Sequence, residues 1–237
     1  MRLLYFILGT IIFTGCQTYK TKIFTFSTQT FIVIDTSVLP TEFLSNSRQN
    51  SYPIYYIGFL KDTIKISNQY SRRDIGNLKY NNPVSSKTYS IKTISLFVDT
   101  AVKTNSSIQY LSADKKLTED SAENYHAYLI TLKNISDSTI YLGRTFSLYY
   151  LNLEAKDAKG NWVKINNKLC EMELCITGQP EIYLRPEEII ISKLKRYKGD
   201  FITDFRLCFG IDDNTVYSNT WRDSIYKDAL YVSAKIN

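Results

Sequence analysis

The chain has 237 residues, 44% hydrophobic and 22% charged, with a formal net charge of +6. That apolar share suffices for a packed core and excludes disorder throughout, and the interspersed acids and bases form no arm that would grip nucleic acid. Nineteen tyrosines and twelve phenylalanines against nine glycines and five prolines favour strands over helices.

In chain order the first element is MRLLYFILGTIIFTGC, residues 1–16. Arg2 gives a positive start, and Leu3 to Phe13 form an apolar run too short to be a stable membrane span. The run closes on Thr14-Gly15-Cys16, small residues before a cysteine. These residues resemble the signal peptide and lipobox of bacterial lipoproteins. The resemblance implies that residues 1–15 are a signal peptide, cut before Cys16, and that Cys16 carries a diacylglycerol and an amide-linked acyl chain. One myristoyl-sized chain gives only reversible membrane binding, at about 0.8 kcal/mol per buried methylene, whereas several together anchor permanently. Gln17, not aspartate, follows Cys16, and no acidic run comes after it. The resemblance therefore implies the outer membrane, facing the periplasm. Residues 16–28 are expected as a lipidated tether, and loss of Arg2 lowers the charge to +5.

Residues 29–115 form an additional β-rich region. Ile32 to Ile34, Tyr52 to Phe59, Thr63 to Ile66 and Ile91 to Val98 are its predicted strands, with polar stretches at 45–51 and 68–87 between them. The polar run 112–124 lacks turn glycines and is expected as a connector to a second region, 123–237. There His126 to Leu132 reads as a strand, Asn134 to Ser138 as a turn, and Thr139 to Leu142 as the returning strand. Tyr149, Leu151, Leu153 and Ala155 alternate before the turn Asp157–Asn161, and Trp162 opens the next strand. Two more strands flank the turn Arg185–Glu188. Between Phe201 and Ile211 strict alternation puts Phe201, Thr203, Phe205, Leu207, Phe209 and Ile211 on one face. Ile202, Asp204, Arg206 and Cys208 fill the other face. Asp212-Asp213-Asn214 then turns the chain into a hairpin with Thr215 to Ser218. Short strands at this spacing fit an all-β antiparallel sandwich, with a barrel as the alternative. The segments Ala127–Ser136, Gly160-Asn161-Trp162, Leu184-Arg185-Pro186 and Tyr197–Phe201 resemble immunoglobulin-like sandwiches of envelope lipoproteins. The resemblance implies an architecture for 123–237 and transfers no site residue.

With Cys16 lipidated, three thiols remain: Cys170, Cys175 and Cys208. An oxidising envelope favours one bridge, Cys170–Cys175 if the chain turns between them, with Cys208 a buried small residue. No spacing matches a metal site, and no cofactor motif is present. His126, the only histidine, has no nucleophile elbow to serve and is expected in a polar edge or satisfied structural role at the opening of a strand. Asp212, Asp213, Glu187 and Glu188 read as turn residues. The basic run Lys193 to Lys198 reads as the solvated end of a strand. Trp162 and Trp221 lie near turns and are candidate binding rings, with core packing and cross-strand pairing as the alternative. Aspartate followed by Thr63, Thr100, Ser121, Ser138 and Ser224 resembles an O-glycosylation signal of exported proteins. The alternative is ordinary chain exit from turns into strands. The expected function is a lipid-anchored, non-enzymatic envelope protein that binds or scaffolds an envelope protein or glycan. Two alternatives are a carboxylate-dependent carbohydrate-active hydrolase and a periplasmic inhibitor or immunity lipoprotein.

Overall fold

The structure, a computed structural model, describes residues 20–26, 29–35, 43, 52–66, 88–108, 123–144, 147–165, 181–210 and 214–231. Cys16, Ser121, Cys170, Cys175, Asp212 and Asp213 lie outside the described residues, as do the polar stretches 45–51 and 68–87. The chain is all-β: among the described residues strands pair antiparallel with one exception, and the helix α1 (Lys227–Tyr231) has five residues.

The described strands form four sheets. The first runs β1-β2-β4, with β1 (Lys20–Phe26), β2 (Gln29–Asp35) and β4 (Thr63–Ile66); the β2–β4 pair is the parallel one. The second, central sheet runs β3-β11-β6-β5, with β3 (Tyr56–Phe59), β11 (Glu188–Lys195), β6 (Glu123–Asn134) and β5 (Ile94–Ile108). A third runs β13-β12-β8-β9, with β13 (Val216–Tyr217), β12 (Phe201–Phe209), β8 (Leu151–Lys156) and β9 (Trp162–Ile165). Its fifth strand, β14 (Trp221–Ile225), follows β13 along the same edge of β12. The fourth is a ribbon of β7 (Ile140–Arg144) and β10 (Glu181–Leu184).

Several expectations need correction. The lipidated tether placed at 16–28 is strand from Lys20 to Phe26, because the β-branched and aromatic run KTKIFTF pairs with β2 in a tight hairpin, Phe26 opposite Gln29. Residues on either side of 115–123 share the central sheet, β5 against β6 and β3 against β11. Thr139 to Leu142 does not return along β6. Asn134, fully buried, donates its amide to the Ser138 carbonyl at 2.7 Å and the Leu184 carbonyl at 2.8 Å. That pins the chain as it leaves the central sheet, and β7 pairs with β10 instead. Glu188 is no solvated turn acid. It is fully buried as the first residue of β11, accepting the Arg185 guanidinium at 2.7 Å and the Arg185 backbone N–H at 2.8 Å.

The two apolar clusters explain the order of sheets. The larger joins Leu96, Val98, Ile130 and Ile190 of the central sheet to Leu153, Phe205, Leu207 and Phe209 of the five-stranded sheet. The smaller joins Leu129, Ile189, Ile191 and Val102 of the central sheet to Val33, Ile64 and Ile66 of the first. Successive side chains of a strand point to opposite faces. In β11 Ile190 and Leu194 therefore serve one core and Ile189 and Ile191 the other, and all eight of its residues are buried. Each such isoleucine contributes roughly 1.5–3 kcal/mol by leaving water.

Sheet edges are closed locally. In β5 the register slips between Asp99 and Lys103, and Asp99 accepts the N–H groups of Ala101 and Val102 at 2.9 and 3.2 Å. The bulge moves Thr104 and Ser106 to the face of the smaller core, where both are buried. Just before it, the Asn219 side chain accepts the Val98 N–H at 2.8 Å and donates to the Val98 carbonyl at 3.0 Å. Gly199, between β11 and β12, lies against the end of β14: a Cβ there would meet the Ile225 carbonyl carbon at 2.1 Å.

Candidate binding face on the five-stranded sheet

Strand β12 carries the larger core on its odd positions, so its even positions, Ile202, Asp204, Arg206 and Cys208, form the opposite face. Register extends that face across the neighbours. Arg206 lies opposite Glu154, Cys208 opposite Asn152 and, on the other side, Tyr217; Asp204 lies opposite Arg222. Beyond β8, Glu154 lies opposite Lys164 and Lys156 opposite Trp162. In these rows each acid has a base on either flank, Arg206–Glu154–Lys164 and Arg222–Asp204–Lys156.

Arg206 is the centre of the face. Its Nε donates to Glu154 Oε2 at 2.7 Å, and its guanidinium lies 4.2 Å from the Trp162 ring centroid and 3.9 Å from that of Tyr217. Lys156 Nζ sits 2.9 Å from Asp204 Oδ2 and 5.2 Å from the Trp162 ring. Stacked guanidinium, two rings and a carboxylate hold one another in place. Ile202 interrupts this polar face with 62% of its surface exposed.

At one end of the face is a depression of about 340 Å³, bounded by Lys156, Asp204, Arg222, Phe201, Ile202 and the β8–β9 turn. The turn is built by Asp157, whose Oδ1 accepts the N–H groups of Lys159 and Asn161, each at 2.8 Å. Those backbone bonds, the one from Asn161 first, hold the Asp157 carboxyl below its ordinary pKa. Gly160 completes the turn at φ +84°, where a side chain would be strained but would strike nothing within 4 Å.

The predicted site residues are dispersed. Trp162 belongs to this face. Trp221 is a correction: it is 8% exposed, stacked on Phe205 at 5.8 Å and edge-on to Tyr128, a core ring with no surface to offer. Cys208 is buried as expected, and burial followed by the nearby Glu154 pushes its thiol pKa up to about 12, leaving it an inert thiol.

The basic run 193–198 is a second correction, since it is largely buried rather than solvated. Lys193 is fully buried, 3.3 Å from Asp35 Oδ2 of the first sheet and 4.6 Å from the Tyr55 ring. Lys195 is buried over Tyr125. Arg196 donates to Asp223 through Nε at 3.0 Å and Nη2 at 3.1 Å, while the Tyr128 hydroxyl donates to the same carboxylate at 2.8 Å. This clamp ties the central sheet to β14, and burial with the Asp223 charge raises the Tyr128 pKa strongly. His126 lies beside it, stacked on Phe43 at 4.1 Å, and its pKa is lowered by burial and by the charges of Arg196 and Lys103.

Of the aspartate–hydroxyl positions, Thr63 is exposed at the start of β4, and Thr100, Ser138 and Ser224 are half-buried. Their aspartates have local work: Asp99 closes the bulge, Asp137 accepts the Ser138 hydroxyl at 2.7 Å, and Asp223 holds the clamp. Among the described residues no group of three or more His, Cys, Asp or Glu is placed to hold a metal ion. No described helix is long and apolar enough to cross a membrane.

Sequence alternation put Arg206 on this face without a role, and Glu154, Lys156, Lys164, Tyr217 and Arg222 join it only through the register. One signal was in plain view: isoleucine at position 202 among charged residues on the polar side of an alternating strand. No family model matches the chain, and no curated protein or solved structure gives a match.

Proposed function

We propose that the chain is a lipid-anchored protein of the cell envelope whose five-stranded sheet presents a binding face to another envelope component. The observation that carries this reading is the clamped Arg206, held between Trp162 and Tyr217 beside an exposed Ile202. Arginine, tryptophan and tyrosine are the residue types that dominate binding energy at interfaces. Here they are ordered before any partner arrives, which reduces the entropy cost of association. Asp204 and Glu154 each have a cation within 3 Å, an arrangement that orders a surface rather than one that moves a proton. An immunoglobulin-like sandwich is the scaffold this reading adopts for 123–237, with the larger apolar cluster between its two sheets. Acyl chains on Cys16, in the outer membrane and facing the periplasm, complete the proposal.

Two measurements test it. A photo-reactive group introduced at Lys164 is expected to trap one dominant envelope component in native membranes, protein or glycan, and Arg206→Ala is expected to abolish that adduct. An adduct indifferent to Arg206→Ala removes the sheet face from the proposal. Cys16→Ser is expected to release the protein from membranes and to remove the lipid mass from the intact chain; unchanged membrane retention refutes the anchor.

A further inference from the structure

We infer that the depression beside the β8–β9 turn binds an acidic sugar unit, a pyranose ring bearing a carboxylate. The inference rests on the sheet-face reading and names the chemistry of its ligand. Its lining has three parts. Two are cationic: Lys156, and Arg222, which is exposed and opposite Asp204 in the register. Two are apolar: Phe201 and the 62% exposed Ile202. Two are carboxylates: Asp204 and the half-buried Asp157 of the turn.

A sugar acid matches all three. Its carboxylate pairs with Arg222 and Lys156, its C–H face rests on Ile202, and its hydroxyls donate to Asp204 and Asp157. A simple anion would leave the acceptors Asp204 and Asp157 unused, and a neutral sugar would leave Lys156 and Arg222 with Asp204 alone between them. The Lys156–Asp204 pair is 37% exposed at both ends. Such surface pairs are weak, roughly 0–1 kcal/mol, so Lys156 is free to share its charge with a ligand carboxylate. Lys227, 5.7 Å from the Phe201 ring, adds positive potential at the rim. The volume, about 340 Å³, is near the lower limit of small-molecule sites, roughly 300 Å³, and suits one or two sugar rings. At the mouth, Gly160 leaves open the space that a side chain would occupy.

Titration of the full chain in detergent micelles, followed by calorimetry, tests this with three probes: trigalacturonic acid, a neutral galactose trisaccharide, and triglutamate. The acidic sugar is expected to bind at least tenfold more tightly than either control. Arg222→Glu is expected to weaken it at least tenfold, and Ile202→Ala about threefold. Lys92→Glu makes the same charge change on the exposed turn before β5 and is expected to leave affinity within twofold. Equal binding of triglutamate, or affinity that does not respond to Arg222→Glu, overturns the inference. If uronate binding fails while the Lys164 crosslink still depends on Arg206, the sheet face stands and the acidic-sugar site alone falls.

Discussion

The central sheet and the five-stranded sheet use strands of similar length for opposite purposes. Strand β11 is buried at all eight positions, whereas β12 alternates, one face in the core and one bearing Ile202, Asp204 and Arg206. In the first, charge is enclosed: Lys193 meets Asp35, 158 positions away in sequence. In the second, charge is displayed, and each ion pair keeps some access to water. The same chemistry, a cation over an aromatic ring beside a carboxylate, thus serves cohesion in one sheet and presentation in the other. What decides between them is the number of layers packed against the strand, not the residues themselves.

The contrast can be broken at its deepest point first. Asp35→Ala removes the carboxylate that faces the enclosed Lys193 charge and is expected to cost about 3–5 kcal/mol in urea denaturation. Asp35→Leu combined with Lys193→Met is expected to recover wild-type stability or exceed it, because a buried pair seldom outperforms apolar packing. On the displayed face, Arg206→Ala strands the poorly exposed Glu154 and is expected to cost about 1.5–3 kcal/mol. Ile130→Val, in the larger core, is expected to cost about 0.5–1.5 kcal/mol. Ile202→Thr is expected to change stability by less than about 0.5 kcal/mol while reducing the crosslink yield on the proposed face. A stability loss at Ile202 comparable with that at Ile130 would mean that the outer face is packed against something.

The smallest effect concerns pH. His126 has a folded pKa below its unfolded value of about 6.5, so the unfolded chain takes the proton more readily. Its contribution to stability is complete above about pH 6.5 and is lost as pH falls through the folded value. The melting temperature of the wild type is expected to fall more than that of His126→Gln between about pH 7.5 and pH 5.5. Parallel curves would show that the Phe43 stack and the Arg196 charge do not bear on this titration.

The one-sided sheet was legible in the sequence and the two-sided one was not. Period two in Phe201 to Phe209 reports a strand with one wet face, the hairpin β8–β9 follows from its turn residues, and β13 pairs with β12. Strand β11 carries no such period, and its lysines look solvated because Asp35, Tyr55 and Tyr125, which enclose or pair with them, are remote in sequence. The turn at Asn134 was legible as a turn; its destination was not, since the bond from Asn134 to the Leu184 carbonyl spans 50 positions. Of the candidate site, Trp162 could be named from composition. Arg206 and Tyr217 gain their meaning only when β12 lies between β8 and β13.

Asn219 has a consequence beyond the strand it touches. By satisfying both the N–H and the carbonyl of Val98, one side chain takes the place that a strand of a second molecule would otherwise occupy on β5. An open sheet edge is a template to which the strand of a second copy can add. The amide therefore acts as a guard on solitude: at Val98 it closes the edge along which two copies would otherwise merge into one continuous sheet.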